Sequence, residues 1–186
     1  MKSFEEVEKV VKQTLSERRF HHCKCVMDRC IEFATLYGED IEKAKLIGIA
    51  HDIAKEIPRE KRIEEAEKVG VLLDEFEKNN KALIHAKHGA VICKKEFGFT
   101  DDMCEAISYH TTAKANMSTL DKILYISDFS EESRDFPEAI EVYKIAKKDL
   151  DKAYLYALVG KIKYMLDDRI EIHQDSIDAY NYVVSK

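Results

Sequence analysis

The sequence predicts an all-α protein of about eight to ten helices. Apolar residues recur mostly at spacings of three and four, which is the helical period. Only 6 Gly and 2 Pro interrupt the 186 residues, so few positions favour the sharp turns of a strand-and-turn architecture. A chain of this length can bury a core of its own, and we expect a single domain over residues 1–186.

Capping and breaking residues place the helices of the N-terminal half. Ser3 and Glu6 have the spacing of a capping box, and Gly38 is a typical helix stop. Pro58 disfavours helix at the residue before it and suits the first position of a new one. The predicted helices follow Ser3 to about Leu15, then cover about Arg18–Tyr37, Asp40–Ile57, Pro58–Val69, Asp74–His85 and Lys87–Phe97.

The C-terminal half has the same helical period. Gly98 and the polar run 113–118 are expected to be connections, and Pro137 is expected to open a helix. The predicted helices cover about Asp101–His110, Thr119–Phe129, Pro137–Lys147, Asp149–Asp168 and Ser176–Val184.

Composition excludes several classes of function. The formal net charge is −6, from 30 Lys+Arg against 36 Asp+Glu, which argues against a general nucleic-acid-binding surface. No apolar run reaches the ~20 residues that cross a bilayer, and the acidic N-terminus lacks the apolar segment of a secretory signal. Five scattered cysteines are an odd number, which favours free thiols in a reducing cytoplasm.

Six residues point to chemistry, because imidazole and carboxylate groups bind transition metals. The His-Asp dipeptide among them is weak evidence alone, but an apolar stretch precedes it. Lys55 follows Asp52 by three residues, so on a helix it would lie where it could neutralise a phosphate. If the six converge, they supply ligands for one or two ions. They are His22, His51, Asp52, His85, His110 and Asp128.

The two oxygens of Asp52 suit it to bridge two ions. His22 and Asp128 are expected to complete the shell of the first ion, which the histidine preceding Asp52 also binds. His85 and His110 are expected to hold the second ion. Two ions ~3.5–4 Å apart that share a water form a hydrolytic arrangement, and this ligand mixture fits iron, manganese, zinc or cobalt.

Longer motifs resemble a known family. The order and flanks of the ligands resemble the HD-domain metal-dependent phosphohydrolases, and together the motifs resemble the bacterial symmetrical diadenosine tetraphosphate hydrolases of the YqeK type. The resemblance extends from Phe4 to Tyr182. It rests on Arg19–His22, His51–Lys55, His85–Ala90, Tyr109–Thr112, Ser127–Pro137 and Ile172–Asn181.

The resemblance implies an HD helical bundle with a di-metal centre, most often iron, that cleaves diadenosine tetraphosphate into two ADP. It implies a metal-binding core of about residues 18–135, on which C-terminal helices 137–186 pack and close the nucleotide site. It assigns catalysis to Asp52, Lys55 and Arg134. It assigns substrate contacts to Arg19, His22, Lys55, His85, His110, Arg134, His173, Tyr180 and Asn181.

Three other functions stay open at this point. The chain could be another HD phosphohydrolase, acting on a nucleoside monophosphate, a deoxynucleoside triphosphate or a cyclic dinucleotide. It could be a non-catalytic nucleotide-binding module or a purely structural helical domain, although intact ligands argue against both. The expected partner is a dinucleoside polyphosphate or a nucleoside diphosphate, not nucleic acid or a membrane. A homodimer stays open as well, although the apolar stripe on the helix predicted at Asp149–Asp168 is expected to pack in the core of the monomer.

Overall fold

The computed structural model describes residues 1–185, so Lys186 lies outside the described residues. Within that range the fold is all-α, which confirms the predicted class, and it has eleven α-helices and no strand. A five-residue π-helical segment, Cys93–Phe97, continues the sixth helix. The α-helices are α1 Phe4–Thr14, α2 Glu17–Tyr37, α3 Ile41–Ala50, α4 Arg62–Lys68, α5 Glu75–Asn79, α6 Ile84–Ile92, α7 Asp101–Tyr109, α8 Thr119–Ser130, α9 Pro137–Ala146, α10 Leu150–Asp167 and α11 Gln174–Val184.

The expected caps are present at the first two helices. The Ser3 hydroxyl accepts the Glu6 N–H at 3.4 Å, and the Glu6 carboxylate accepts the Ser3 N–H at 2.8 Å. Gly38 ends α2 in the left-handed conformation, with φ 70°, which a residue without a Cβ adopts freely.

The third helix is shorter than predicted. It ends at Ala50 rather than near Ile57, and residues 51–57 form turns with hydrogen bonds between residues three apart. The His51 ring donates to the Gly48 carbonyl at 2.8 Å, the acceptor that the Asp52 N–H would use if α3 continued. The helix predicted at Pro58 was therefore also placed too early, and α4 begins at Arg62.

The boundary predicted between residues 85 and 87 was wrong as well. Asn80 is the C-cap of α5: its backbone N–H makes the usual helical bond to the Phe76 carbonyl at 2.8 Å, and its side-chain amide competes for the same carbonyl at 3.1 Å. The next helix begins at Ile84, so His85 lies in the first turn of α6 rather than at the end of the preceding helix.

Helix α8 lies at the centre of the bundle, in contact with α2, α3, α7, α9 and α10. Its buried face includes Tyr125, whose ring packs edge-on against Tyr154 of α10 at 5.5 Å. Helices α9 and α10, which follow residue 135, therefore pack on the helix that carries Asp128. None of the helices in residues 1–185 combines the length and the apolar character needed to span a membrane.

Helices α2 and α3 approach each other closely at Gly48. A Cβ on Gly48 would lie 2.6 Å from the Cα of Met27, which is backbone and cannot move aside cheaply. The close contact allows α3 to bring His51 towards His22 of α2. Only glycine permits this spacing.

We expect Gly48→Ala to destabilise the fold by about 1–3 kcal/mol or more, because it overpacks a backbone contact. Gly160→Ala is the matched control: nothing lies within 4 Å of its Cβ position on α10, and alanine favours helix by about 1 kcal/mol. Urea unfolding followed by circular dichroism measures both. Equal stability of the two variants would contradict the close approach.

Candidate metal centre

The side chains of four histidines surround the carboxylate of Asp52, as the sequence predicted. On one side, Asp52 Oδ2 lies 4.0 Å from His22 Nε2 and 3.7 Å from His51 Nε2. On the other side, Oδ1 lies 3.1 Å from His85 Nε2 and 3.6 Å from His110 Nε2. The two oxygens therefore face different imidazoles, which is the geometry of a bridging carboxylate.

Asp128 closes the first group of ligands. Its Oδ1 lies 3.1 Å from His22 Nε2 and 3.9 Å from His51 Nε2. Two sets of three residues each place one ligand atom within 4.8 Å of the others: His22, His51 and Asp128 form one set, and His51, Asp52 and His110 form the second. His51 belongs to both sets, whereas the sequence predicted it as a ligand of the first ion alone.

Backbone hydrogen bonds orient three of the imidazoles in the same way. Each ring donates its Nδ1–H to the carbonyl oxygen three residues earlier, which fixes the tautomer and leaves the Nε2 lone pair directed at Asp52. The acceptors for His51, His85 and His110 are Gly48, Ala82 and Ile107, at 2.8, 2.6 and 2.7 Å.

Glu131 orients the fourth imidazole, a role that was not predicted from the sequence. His22 Nδ1 lies 3.2 Å from Glu131 Oε1, and the Glu131 carboxylate is held by the N–H and hydroxyl of Ser133. A carboxylate behind a ligating histidine fixes its ring and raises its basicity. The signal in the sequence was the position of Glu131, three residues after Asp128.

The site is buried, and burial decides its charge. Burial lowers the pKa of His51 and of His85 to about 4, so both rings are neutral near pH 7 and keep their lone pairs. Burial by itself raises the pKa of Asp52 and of Asp128, but the contacts that each carboxylate makes with neighbouring side chains outweigh it and hold both pKa values well below the usual range. Both acids are therefore ionised.

Three buried atoms at the centre have no hydrogen-bond partner: His22 Nε2, His51 Nε2 and Asp52 Oδ1. An unsatisfied buried polar atom costs about 1–3 kcal/mol, so three of them in one place require an explanation. A cation coordinated by these atoms would satisfy all three. Neutral imidazoles and ionised carboxylates together are a donor set for iron, zinc, manganese or cobalt, and the residues present fit such ions.

Three cations surround the ligands, as expected for an anionic substrate. Arg19 Nη1 lies 3.0 Å from Asp52 Oδ2, and Arg134 Nη2 lies 3.4 Å from Asp128 Oδ1. Lys55 Nζ lies 3.1 Å from His85 Nε2 and 4.0 Å from Asp52 Oδ1.

A cavity of about 520 Å³ opens beside His22 and the two arginines. That volume is in the range of small-molecule sites. Its lining comprises Ser16, Arg18, Arg19, His21, His22, Glu56, Glu131, Ser133 and Arg134.

The predicted nucleotide contacts of the C-terminus lie apart from this group of ligands. His173 Nε2 lies 3.4 Å from Asp74 Oδ2, and its ring packs edge-on against Phe76. Tyr180 is 37 % exposed and Asn181 is exposed. Their contact with a nucleotide stays a prediction, as does closure of the site by residues 137–186.

Comparison with known proteins agrees with this geometry. The family model of the HD domain matches residues 19–132, which include all six predicted ligands. The chain belongs to the HD domain family. This confirms the family that the motifs indicated.

Relatives of the HD domain extend the similarity to nearly the whole chain. The symmetrical bis(5'-nucleosyl)-tetraphosphatase of Bacillus subtilis is 37 % identical, over 97 % of each chain. The enzyme of the same name from Halalkalibacterium halodurans is also 37 % identical, over 94 % of each. A crystal structure of a predicted HD superfamily hydrolase involved in NAD metabolism, from Clostridium acetobutylicum, superposes with a TM-score of 0.94 at 38 % identity, covering 100 % of this chain and 98 % of that one.

We expect Asp52→Ala to lose bound metal while keeping its helical content, because the bridging acid is removed from an otherwise intact fold. Elemental analysis of purified protein, with circular dichroism alongside, measures this. Asp151→Asn is the control, since that carboxylate is 77 % exposed and pairs with Lys122, away from the six predicted ligands. A full metal complement in Asp52→Ala would exclude the bridging role.

The metal-free protein should lose stability as the pH falls from 6.5 to 4. His51 and His85 bind protons in the folded state only near pH 4, while an unfolded imidazole titrates near 6.5. The unfolded state therefore binds more protons in this window, and the free energy of unfolding falls by about 3 kcal/mol per histidine.

The pKa of His22 is raised, because the nearby carboxylates of Asp128 and Glu131 outweigh burial; its contribution changes mainly above pH 6.5 and leaves the loss in this window nearly unaltered. The lowered pKa values of the two acids matter only below about pH 4. Urea unfolding of chelator-treated protein across this window is the test. Stability that does not change between pH 6.5 and 4 would show that the two buried rings are not neutral.

Proposed function

We propose that the protein hydrolyses diadenosine tetraphosphate, and related dinucleoside polyphosphates, symmetrically to two ADP. The observation that carries this proposal is the position of Asp52, between two sets of imidazoles and beside three cations. Such a centre suits a substrate that is a chain of phosphates. Relatives at 37 % identity carry the name of this activity, which supports the choice among phosphate esters and anhydrides.

The proposed metal ligands are the six residues predicted from the sequence. When bound, two transition-metal ions would lower the pKa of a water and stabilise negative charge on phosphoryl oxygens. Iron is the proposed metal, with manganese, zinc and cobalt as alternatives of similar ligand preference. The protein supplies the geometry, since four ring orientations are fixed by backbone carbonyls or by Glu131.

The cations are proposed to bind and orient the phosphate chain. Arg19 and Arg134 line the cavity, and a guanidinium can contact two phosphate oxygens at once. Lys55 lies on the other side of Asp52, next to His85, where it can offset charge that builds up during cleavage. In this proposal Asp52, Lys55 and Arg134 are the catalytic residues.

The leaving group explains why a strong protein acid is unnecessary. Symmetrical cleavage releases a nucleoside diphosphate, whose terminal phosphate is a good leaving group.

The free state of all five cysteines suits the reducing cytoplasm in which such a substrate would be met. His173, Tyr180 and Asn181 are proposed to contact the nucleotide.

Product analysis tests the proposal. Purified protein, loaded anaerobically with iron, manganese or zinc, is expected to convert diadenosine tetraphosphate to ADP alone. AMP and ATP in equal amounts would mean asymmetric cleavage. Turnover only of a nucleoside monophosphate, a deoxynucleoside triphosphate or a cyclic dinucleotide would favour another HD phosphohydrolase. Binding without turnover with every metal would favour a nucleotide-binding module.

Lys55→Ala should lower kcat/KM for diadenosine tetraphosphate by about 10–100-fold, because it removes a charge-assisted contact worth about 1.5–3 kcal/mol. Metal content should be unchanged, since Lys55 is not a ligand. Lys24→Ala is the control, as Lys24 is exposed on α2. Loss of metal together with activity would overturn the assigned role.

A further inference from the structure

Lys161 is a lysine on the buried face of a helix. Helix α10 buries Leu150, Ala153, Tyr154, Ala157 and Leu158 along one face. Lys161 follows Leu158 by three residues, so it continues that face rather than the solvent-exposed one. Its side chain is partly buried, whereas Lys163 on the same helix is exposed. The position favours an apolar residue, and a cation there requires an explanation.

The ammonium of Lys161 lies beside the metal centre. Its Nζ donates to the Thr111 carbonyl at 2.9 Å and lies 4.7 Å from the centroid of the Tyr125 ring. Thr111 directly follows His110. Tyr125 precedes Asp128 by three residues on α8, so the two share a face. Two separate elements therefore place Nζ next to proposed metal ligands.

This cation has no anionic partner of its own. Within residues 1–185, no carboxylate forms an ion pair with Lys161 Nζ, and the Thr111 carbonyl is its hydrogen-bond acceptor. Burial lowers the pKa of Lys161 to about 8; the Asp128 carboxylate opposes the shift, and Lys55 and Arg134 add to it. A partly desolvated ammonium among other cations is stabilised by an anion that binds next to it.

We propose that Lys161 binds the phosphate chain of the substrate on the His110 side of the centre. The inference rests on the proposed function and adds a fourth cation to it. Arg19 and Arg134 line the cavity beside His22 and would hold one diphosphate half. Lys161 and Lys55 would hold the half on the opposite side. The two identical halves of a symmetrical substrate would thus be bound by different cations.

The assignment gives α10 a role in the site. The HD domain match ends at residue 132, so Lys161 comes from the helices that follow it. Helix α10 packs on α8, which fixes Lys161 relative to Asp128. A long phosphate chain requires contacts beyond the atoms next to the metals, and Lys161 supplies one.

The test uses ADP as the probe, with binding to metal-loaded protein measured by calorimetry. Lys161→Met keeps the apolar stem and removes the charge, and it is expected to raise the Kd for ADP and the KM for diadenosine tetraphosphate by about 10–100-fold. Lys161→Arg keeps the charge and should stay within about threefold of the natural protein. Lys163→Met, on the exposed face of the same helix, should match the natural protein.

Two further readouts separate substrate binding from a structural role. Lys161→Met should keep its metal content, and its Tm should be unchanged or higher, because a partly buried cation without a carboxylate partner is removed. Unaltered ADP affinity, or a fall in Tm and metal content along with affinity, would overturn the inference. The binding measurement needs no turnover, so a failure of the proposed hydrolysis would be seen separately, in the product analysis.

Discussion

The buried carboxylate of Asp52 and the half-buried one of Asp128 require compensating positive charge, and the arrangement of the site follows from that requirement. The nearest groups are imidazoles, and the two most deeply buried of these are neutral. Arg19 and Arg134 each reach one of the acids, but only from one side. The buried imidazole nitrogens and carboxylate oxygen at the centre keep lone pairs without a hydrogen-bond partner. A divalent cation bound there would satisfy these lone pairs and neutralise the negative charge.

The backbone prepares this arrangement locally. His51 and His110 each follow the last residue of a helix, where the chain leaves the helical path, and both rings turn back to a carbonyl three residues earlier. A residue at a helix end has carbonyls nearby that accept no further helical hydrogen bond. The hydrogen bond from the ring to this carbonyl therefore goes together with the end of the helix and also fixes the orientation of the histidine. The early end of α3 thus helps to position His51 in the site.

The prediction from sequence was reliable where the signal is local. Ser3, Gly38 and Pro137 delimit helices as their chemistry dictates. It failed at Ile57 and at Asn80, because side-chain hydrogen bonds to the backbone ended helices that periodicity alone would continue. The six predicted ligands could be singled out because imidazole and carboxylate groups bind transition metals and because their order and flanks resemble a known family. Glu131 and Lys161 were missed, because a glutamate near a helix end and a lysine in a helix have ordinary uses that far outnumber these.

The sequence by itself determined the helical class, the ligand types and the family motifs, since each depends on residues that are neighbours along the chain. The tertiary structure decided the rest. His22 and Asp128 are 106 residues apart in number, and only the packing of α2, α3 and α8 brings His22 Nε2 within 3.1 Å of Asp128 Oδ1. Which oxygen of Asp52 faces which imidazole, and which lysine is desolvated, are properties of that packing. Distance and burial control electrostatic energy, and neither is encoded in local spacing.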